Sequence, residues 1–117
     1  MSSSPHRLLT ESGMELASNL EVADSVWRRF MGLMGRPDLP EGSGLCIRPC
    51  SSIHMFFMRF PIDVAFIDGD GRVVRAYHGI KPWRTTRVVF GAKAALELPA
   101  GTLARAGVRE GSRISVV

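Results

Sequence analysis

The 117 residues, 45% apolar and 22% charged, suit one globular domain with its own core and exclude a disordered or low-complexity chain. The formal charge of +4, from 15 Lys plus Arg against 11 Asp plus Glu, is scattered, and its longest basic run is Arg28-Arg29. Scatter of that kind reads as a solvated surface rather than a nucleic-acid stripe, and no apolar run approaches the roughly 20 residues of a membrane span.

The start, "MSSSPHRLLTESG", lacks the apolar stretch of a secretory leader, so a soluble cytoplasmic protein is expected. The two cysteines, Cys46 and Cys50, are spaced C-x3-C. That is neither the redox C-x-x-C nor half of a paired zinc site, and two reduced thiols are expected. A disulfide across so short a loop would need unusual backbone geometry.

In chain order, "HRLLT" (6–10) and "MELASNLEVA" (14–23) flank a Gly-containing turn and predict a hairpin. A helix follows, with Asp24 or Ser25 accepting its first free amide hydrogens. Trp27, Phe30, Met31 and Met34 fall at i, i+3, i+4 and i+7, which predicts one apolar stripe facing the core. Gly35 and Pro37 are expected to end the helix. "RPDLPEGSG" (36–44) reads as a loop and "GLCIR" as a short strand.

The stretch "SSIHMFFMRFPIDVAFID" (51–68) is apolar on both alternating faces, yet each face carries a polar intruder. His54 shares parity with Phe56, Met58 and Phe60, and Arg59 with Ile53, Met55 and Phe57. The stretch is either a doubly buried strand or the floor of a site. "IDVAFID" (62–68), the turn Asp68-Gly69-Asp70-Gly71 and "RVVRAYH" (72–78) form the clearest hairpin. An irregular connection with Pro82 and Trp83, a strand "AKAALELP", a short helix capped by Thr102 and ended by Gly107, and a last strand "SRISVV" complete the chain. The order is β-β-α-β-β-β-β-α-β. It predicts a strand-dominated α+β domain: a single antiparallel, barrel-like or rolled sheet with one packed helix and one short helix. No internal repeat is visible.

Three blocks, "GLMGRPDLPEGSGLCI", "IHMFFMRFPIDVAFIDGDGRVVR" and "LELPAGTLARAGVREG", together resemble the DUF192 family, small bacterial and archaeal proteins of unknown function. The resemblance covers about residues 14–117, leaving 1–13 as an N-terminal segment or first strand. In block one, Gly32, Leu33, Met34, Arg36, Leu39, Pro40, Gly42 and Gly44 match the family pattern, and Leu45 replaces its Met. In block two, Met55, Pro61, Asp63 and Phe66 match. His54 falls where the family usually has Trp, and Phe56, Phe57 and Met58 replace Lys-Asn-Thr. In block three, Leu96, Glu97, Ala100, Gly101, Gly107 and Gly111 match, with Ser112 in place of Asp. The resemblance implies a β-rich fold and transfers no activity. Because the polar triplet is absent, a ligand read by those groups would be read differently here.

The candidate constellation is His54, Arg59 and Asp63. An acid on an apolar strand face is costly unless paired or hydrogen-bonded. Asp63 either pairs with Arg59, accepts amide hydrogens at the Pro61 bend, or joins His54 as an acid/base or ligand-holding pair. A Cys46-Cys50-His54 metal cluster and a Cys50-His54 nucleophile are weaker alternatives, because ligand spacing and an activated thiol are both wanting. Asp68 and Asp70 imitate the start of a calcium loop without its later ligands, so a plain turn is expected. Met55, Met58, Phe56, Phe57, Phe60, Trp27 and Trp83 form core, pocket wall or both. Trp83, Arg84 and Arg87 are a candidate rim for an anionic group.

The first reading is therefore a non-enzymatic, monomeric domain that binds a small molecule or peptide in a cleft near 53–60. His54, Met55, Met58, Arg59, Asp63, Trp83 and Arg84 are the candidate contacts, with no metal, cofactor or membrane partner. The alternatives are a nucleic-acid-binding module and an enzyme using His54 with Asp63 or Cys50.

Overall fold

Alternating apolar runs separated by Gly-containing turns fold as the sequence predicts, in nine elements described over residues 6–117 of a computed structural model. They are β1 (His6–Thr10), β2 (Glu15–Ala23), α1 (Val26–Met31), β3 (Ser43–Ile47), β4 (Ile62–Ile67), β5 (Val73–Ile80), β6 (Ala94–Pro99), α2 (Thr102–Arg105) and β7 (Ile114–Val116). All seven strands join one sheet in the order β5-β4-β6-β3-β2-β1-β7, rolled into a half-barrel. Every neighbouring pair is antiparallel except β2–β3. That pair runs parallel because α1 and the loop after it carry the chain back to the start of the sheet, as any parallel pair requires.

The two ends of the half-barrel are tied at one corner. Asp68 Oδ1 accepts from the Asp70 and Arg72 amides and shapes the turn into β5. Val73 N then donates to Ser112 O, Gly111 N to Val73 O and Ile114 N to Gly71 O, each at 2.8 Å. Gly71 has a φ of +82°, and a Cβ there would lie 2.5 Å from the Ile114 carbonyl oxygen. Gly71→Ala therefore combines left-handed strain with a backbone clash and is expected to cost about 2–4 kcal/mol in urea unfolding. Gly69→Ala, two residues earlier with open space around it, should stay within about 0.5 kcal/mol of the parent.

Period-two alternation gives the central strands two buried faces. On one, Cys46, Ala65, Ile67, Leu96 and Leu98 pack with Leu8, Leu20, Val73, Leu103 and Ile114 inside the roll. On the other, Leu45, Ile47, Ile62, Val64, Phe66 and Ala95 are covered by Leu33, Ile53, Met55 and Met58. The outer cover is irregular chain and one short helix, and the candidate site lies within it.

Candidate functional site

The α1 helix is capped by Ser25, whose Oγ accepts from Arg28 N at 3.1 Å. It ends at Gly32, φ +48°, one turn before the expected Gly35. The expected core-facing stripe is corrected by this early stop. No residue of α1 is buried, and Trp27 and Phe30 are 68% and 57% exposed. Leu33, from the turn beyond the helix, fills the core position instead. The helix stands off the sheet and becomes a wall.

The segment 51–60 is no strand with two buried faces. Ile53, Met55 and Met58 are buried, while Phe56, Phe57 and Arg59 face solvent. A turn at Phe56–Phe57, with Phe57 at φ +62°, breaks the alternation. The backbone polar groups are met by residues 83–89: Met55 N donates to Arg84 O, Trp83 N to Met55 O, Thr86 N to Ile53 O and Val89 N to Ser51 O. Two irregular segments thus hold each other as a ladder outside the sheet.

Between α1 and this ladder opens a cleft of about 600 Å³. Phe30, Met31, Ile47, Ile53 and Met58 provide apolar lining, and Arg29, Cys50, His54, Lys93 and Glu97 provide polar groups. Glu97 belongs to the floor. It sits in β6 opposite Leu45 of β3 and Val64 of β4, and it is only 4% exposed. Among the described residues it has no ion pair. Burial pushes its carboxyl up to about 8, opposed in part by the Arg36 guanidinium. Arg36 itself is engaged with Glu21 at 2.9 Å, which holds the Glu21 carboxyl below its usual range. Arg29 Nη1 donates to Pro49 O at 3.1 Å, while its Nε is buried without a partner.

Of the residues the sequence pointed to, His54 and Met58 line the cleft. Met55 lies fully buried in the core and Arg59 outside in solvent. Trp83 and Arg84 belong to the outer ladder, with the Trp83 ring 6.1 Å from Phe56 and 5.0 Å from Phe57. Asp63 is on the other face of the sheet. It is fully buried, and its carboxylate accepts from Gly79 N at 2.9 Å, Gly101 N at 3.1 Å and Leu103 N at 3.0 Å. It therefore meets neither His54 nor Arg59. It also caps α2 from a distance, whereas Thr102, the expected cap, donates its hydroxyl to Pro99 O at 2.7 Å.

The thiol groups are quiet. Cys50 Sγ donates to Ser52 O at 3.1 Å, and desolvation raises the Cys50 and Cys46 thiols above their ordinary range. His54 Nδ1 accepts from Phe56 N at 3.2 Å. Both members of the candidate nucleophile pair are thus engaged with backbone, and the thiol is disfavoured as thiolate. Among the described residues, no three His, Cys, Asp or Glu side chains gather as metal ligands. Sequence reasoning missed Glu97, Arg29 and Lys93 as cleft residues. The signal for Glu97 was an acid inside the apolar run "AALELP", the same anomaly that drew attention to Asp63.

The comparisons agree with this fold. The chain is 35% identical over 95 residues to a UPF0127 protein of Thermococcus sibiricus, covering 78% of this chain and 61% of that one. It is 33% identical over 107 residues to one of Pyrococcus furiosus, covering 87% and 90%. The chain spans 61% to 65% of the length of three Thermococcus relatives it matches. Among solved structures, a candidate transcription regulator from Sinorhizobium meliloti 1021 superposes with a TM-score of 0.79 at 28% identity, covering 95% of this chain and 91% of that one. A protein of unknown function from Novosphingobium aromaticivorans shares the fold, with a TM-score of 0.82 at 24% identity and coverage of 95% and 83%. The DUF192 model, described as an uncharacterized conserved family, matches residues 7–116, so β1 as well as the three motif blocks is included. The chain belongs to the DUF192 family.

Proposed function

We propose that this chain is a non-enzymatic binding domain that holds a small molecule in the cleft between α1 and residues 49–58. The observation that carries the reading is the Glu97 carboxyl, almost wholly buried, unpaired, and part of the lining of an open cavity. A buried polar group without a partner is costly, and a ligand that meets it offsets that cost. The cavity volume falls within the range of small-molecule sites, and its apolar lining with a few convergent polar groups is their usual composition. The engaged Cys50 and His54 favour binding over nucleophilic chemistry.

The test is an amide NMR titration with a metabolite mixture. Shifts are expected at Ser51–His54 and Lys93–Glu97 in the parent. They should vanish in Ala92→Trp, which fills the cleft from a half-buried lining position. An absence of shifts, or shifts confined to another surface, would overturn the reading.

One observation favours a second reading. Exposed rings run in a connected row: Trp27 to Phe30 at 6.3 Å, Phe30 to His54 at 6.0 Å, His54 to Phe56 at 5.1 Å, then Trp83 and Phe57. Arg48, Arg59, Arg84 and Arg87 are exposed and have no ion pair among the described residues. Rings for stacking beside unpaired cations suit single-stranded nucleic acid, and the similar Sinorhizobium chain carries a regulator description. Under this reading, an oligonucleotide binds at 20 mM salt and loses most of its affinity by 200 mM, roughly 10⁴-fold for six phosphate contacts. No binding at 20 mM removes it.

A further inference from the structure

The cleft has two poles of opposite chemistry. At the floor is the Glu97 carboxyl; in the wall is Arg29 Nε, a buried donor with no acceptor. Arg29, Cys50 and Glu97 all line the cleft. Both poles therefore border the same space. We propose that the cleft takes a small zwitterion with an apolar body, its ammonium donating to Glu97, its carboxylate accepting from Arg29, and its hydrocarbon part against Phe30, Ile53 and Met58. This deepens the binding reading above and rests on it.

Charge complementarity selects this class. An anion alone would answer Arg29 and Lys93 and meet the carboxyl only in its protonated form, as a hydrogen-bond donor. A cation alone would answer Glu97 but leave the Arg29 donor orphaned and meet two like charges. A ligand carrying both groups meets both poles with the carboxyl ionised, and each buried pole left unmet weakens binding. Arg29 is the better carboxylate partner of the two cations because its guanidinium is already anchored on Pro49 O.

The proposal has a pH signature. The titratable and charged groups that line the cleft with Glu97 are Arg29 from α1, Cys50 and His54 from the ladder, and Lys93 ahead of β6, and Arg36 from the turn beyond α1 acts on its charge. In the empty cleft, Glu97 keeps its proton through neutral pH. An incoming ammonium stabilises the carboxylate and expels that proton, so affinity rises with pH below about 8. An anionic ligand would favour the protonated carboxyl as donor, so its affinity would be flat below about 8 and fall only above it.

The experiment is isothermal titration at pH 6 and pH 7.5. The probes are leucine, phenylalanine and 6-aminohexanoate as zwitterions of different charge separation, with 3-methylbutylamine and 4-methylpentanoate as single-charge controls. At least one zwitterion is expected to bind tenfold or more tighter than both controls. Its affinity should rise about 30-fold between the two pH values if one proton is released. Glu97→Gln, which keeps the shape and neutrality of the protonated side chain, should abolish that rise, and Arg29→Gln should bring the zwitterion down to the amine control. Binding of 4-methylpentanoate as tight as that of every zwitterion, with no rise between the two pH values, would overturn the assignment, as would an amine equal to every zwitterion. No binding by any probe, while a metabolite mixture still shifts the cleft amides, overturns the zwitterion and leaves the cleft reading standing. Silence in both experiments overturns both.

Discussion

Asp63→Ala is expected to lower the unfolding free energy by about 3–5 kcal/mol, the range seen when one side of a buried charged hydrogen-bond set is removed. The side chain is fully buried, and its two oxygens accept from three backbone amides in two separate elements. Gly79 lies near the end of β5, and Gly101 and Leu103 form the start of α2, so one carboxylate ties an edge strand and a helix to the middle strand β4. Without it three amide hydrogens, one buried and two part-buried, lose their acceptor, and a cavity the size of a carboxyl group is left. Asp63→Asn keeps the shape and one carbonyl oxygen, but it turns an NH2 group toward an amide. It should recover only part of the loss. Urea unfolding measures the magnitude. Amide exchange at Gly79, Gly101 and Leu103 tests the cause, because those three positions should lose protection beyond the global change. A loss under 1 kcal/mol in Asp63→Ala would mean that solvent replaces the carboxylate.

The second large effect is a pH-dependent stability that one substitution removes. Glu97 holds its proton in the folded state up to about 8, while in the unfolded chain it releases it near 4.5. Between those values the folded state binds the extra proton, so stability falls as pH rises, by up to about 1.4 kcal/mol per unit. The total reaches about 4–5 kcal/mol at pH 8 and does not grow further above it. Below pH 4.5 both states are protonated and this contribution vanishes. Glu97→Gln has no proton to lose, so its stability relative to the parent should climb through pH 5–8 and level off. Glu21, lowered by Arg36, acts in the opposite direction and in the acid range, and it is unchanged in the variant. The difference between the two proteins therefore isolates Glu97. Parallel pH curves would show that its carboxyl is ionised in the folded state.

How far these features are legible in the sequence depends on how local their causes are. The order of nine elements follows from alternation, caps and Gly-rich turns, all short-range signals, and it agrees with the structure throughout. The hairpins β1–β2 and β4–β5 are legible for the same reason, as strands joined by tight turns. The cover over the outer face is another matter. The stripe Trp27-Phe30-Met31-Met34 has helical spacing, but whether it packs or stands free depends on where the chain leaves the helix. The exit expected at Gly35 falls at Gly32 instead. Residues 51–60 look like a strand until Phe57 takes a left-handed φ, which a phenylalanine gives no local warning of. Asp63 was recognised as an expensive acid, yet its partners lie 16, 38 and 40 residues away. Glu97 needed both neighbouring strands in place before Leu45 and Val64 could enclose it. Of the contacts suggested from the sequence, His54 and Met58 border the cleft, and the charged poles that define it come from elsewhere in the chain.

The row of rings has a practical corollary. The chain holds two tryptophans, and they stand on either side of His54 in that row, Trp27 through Phe30 and Trp83 through Phe56. An indole emits according to the polarity and motion around it, so the protein carries an intrinsic optical gauge beside its own cavity. Trp27→Phe and Trp83→Phe leave one emitter each. Together they would tell, without a dye or an isotope, whether an occupant leans toward the helical wall or toward the ladder.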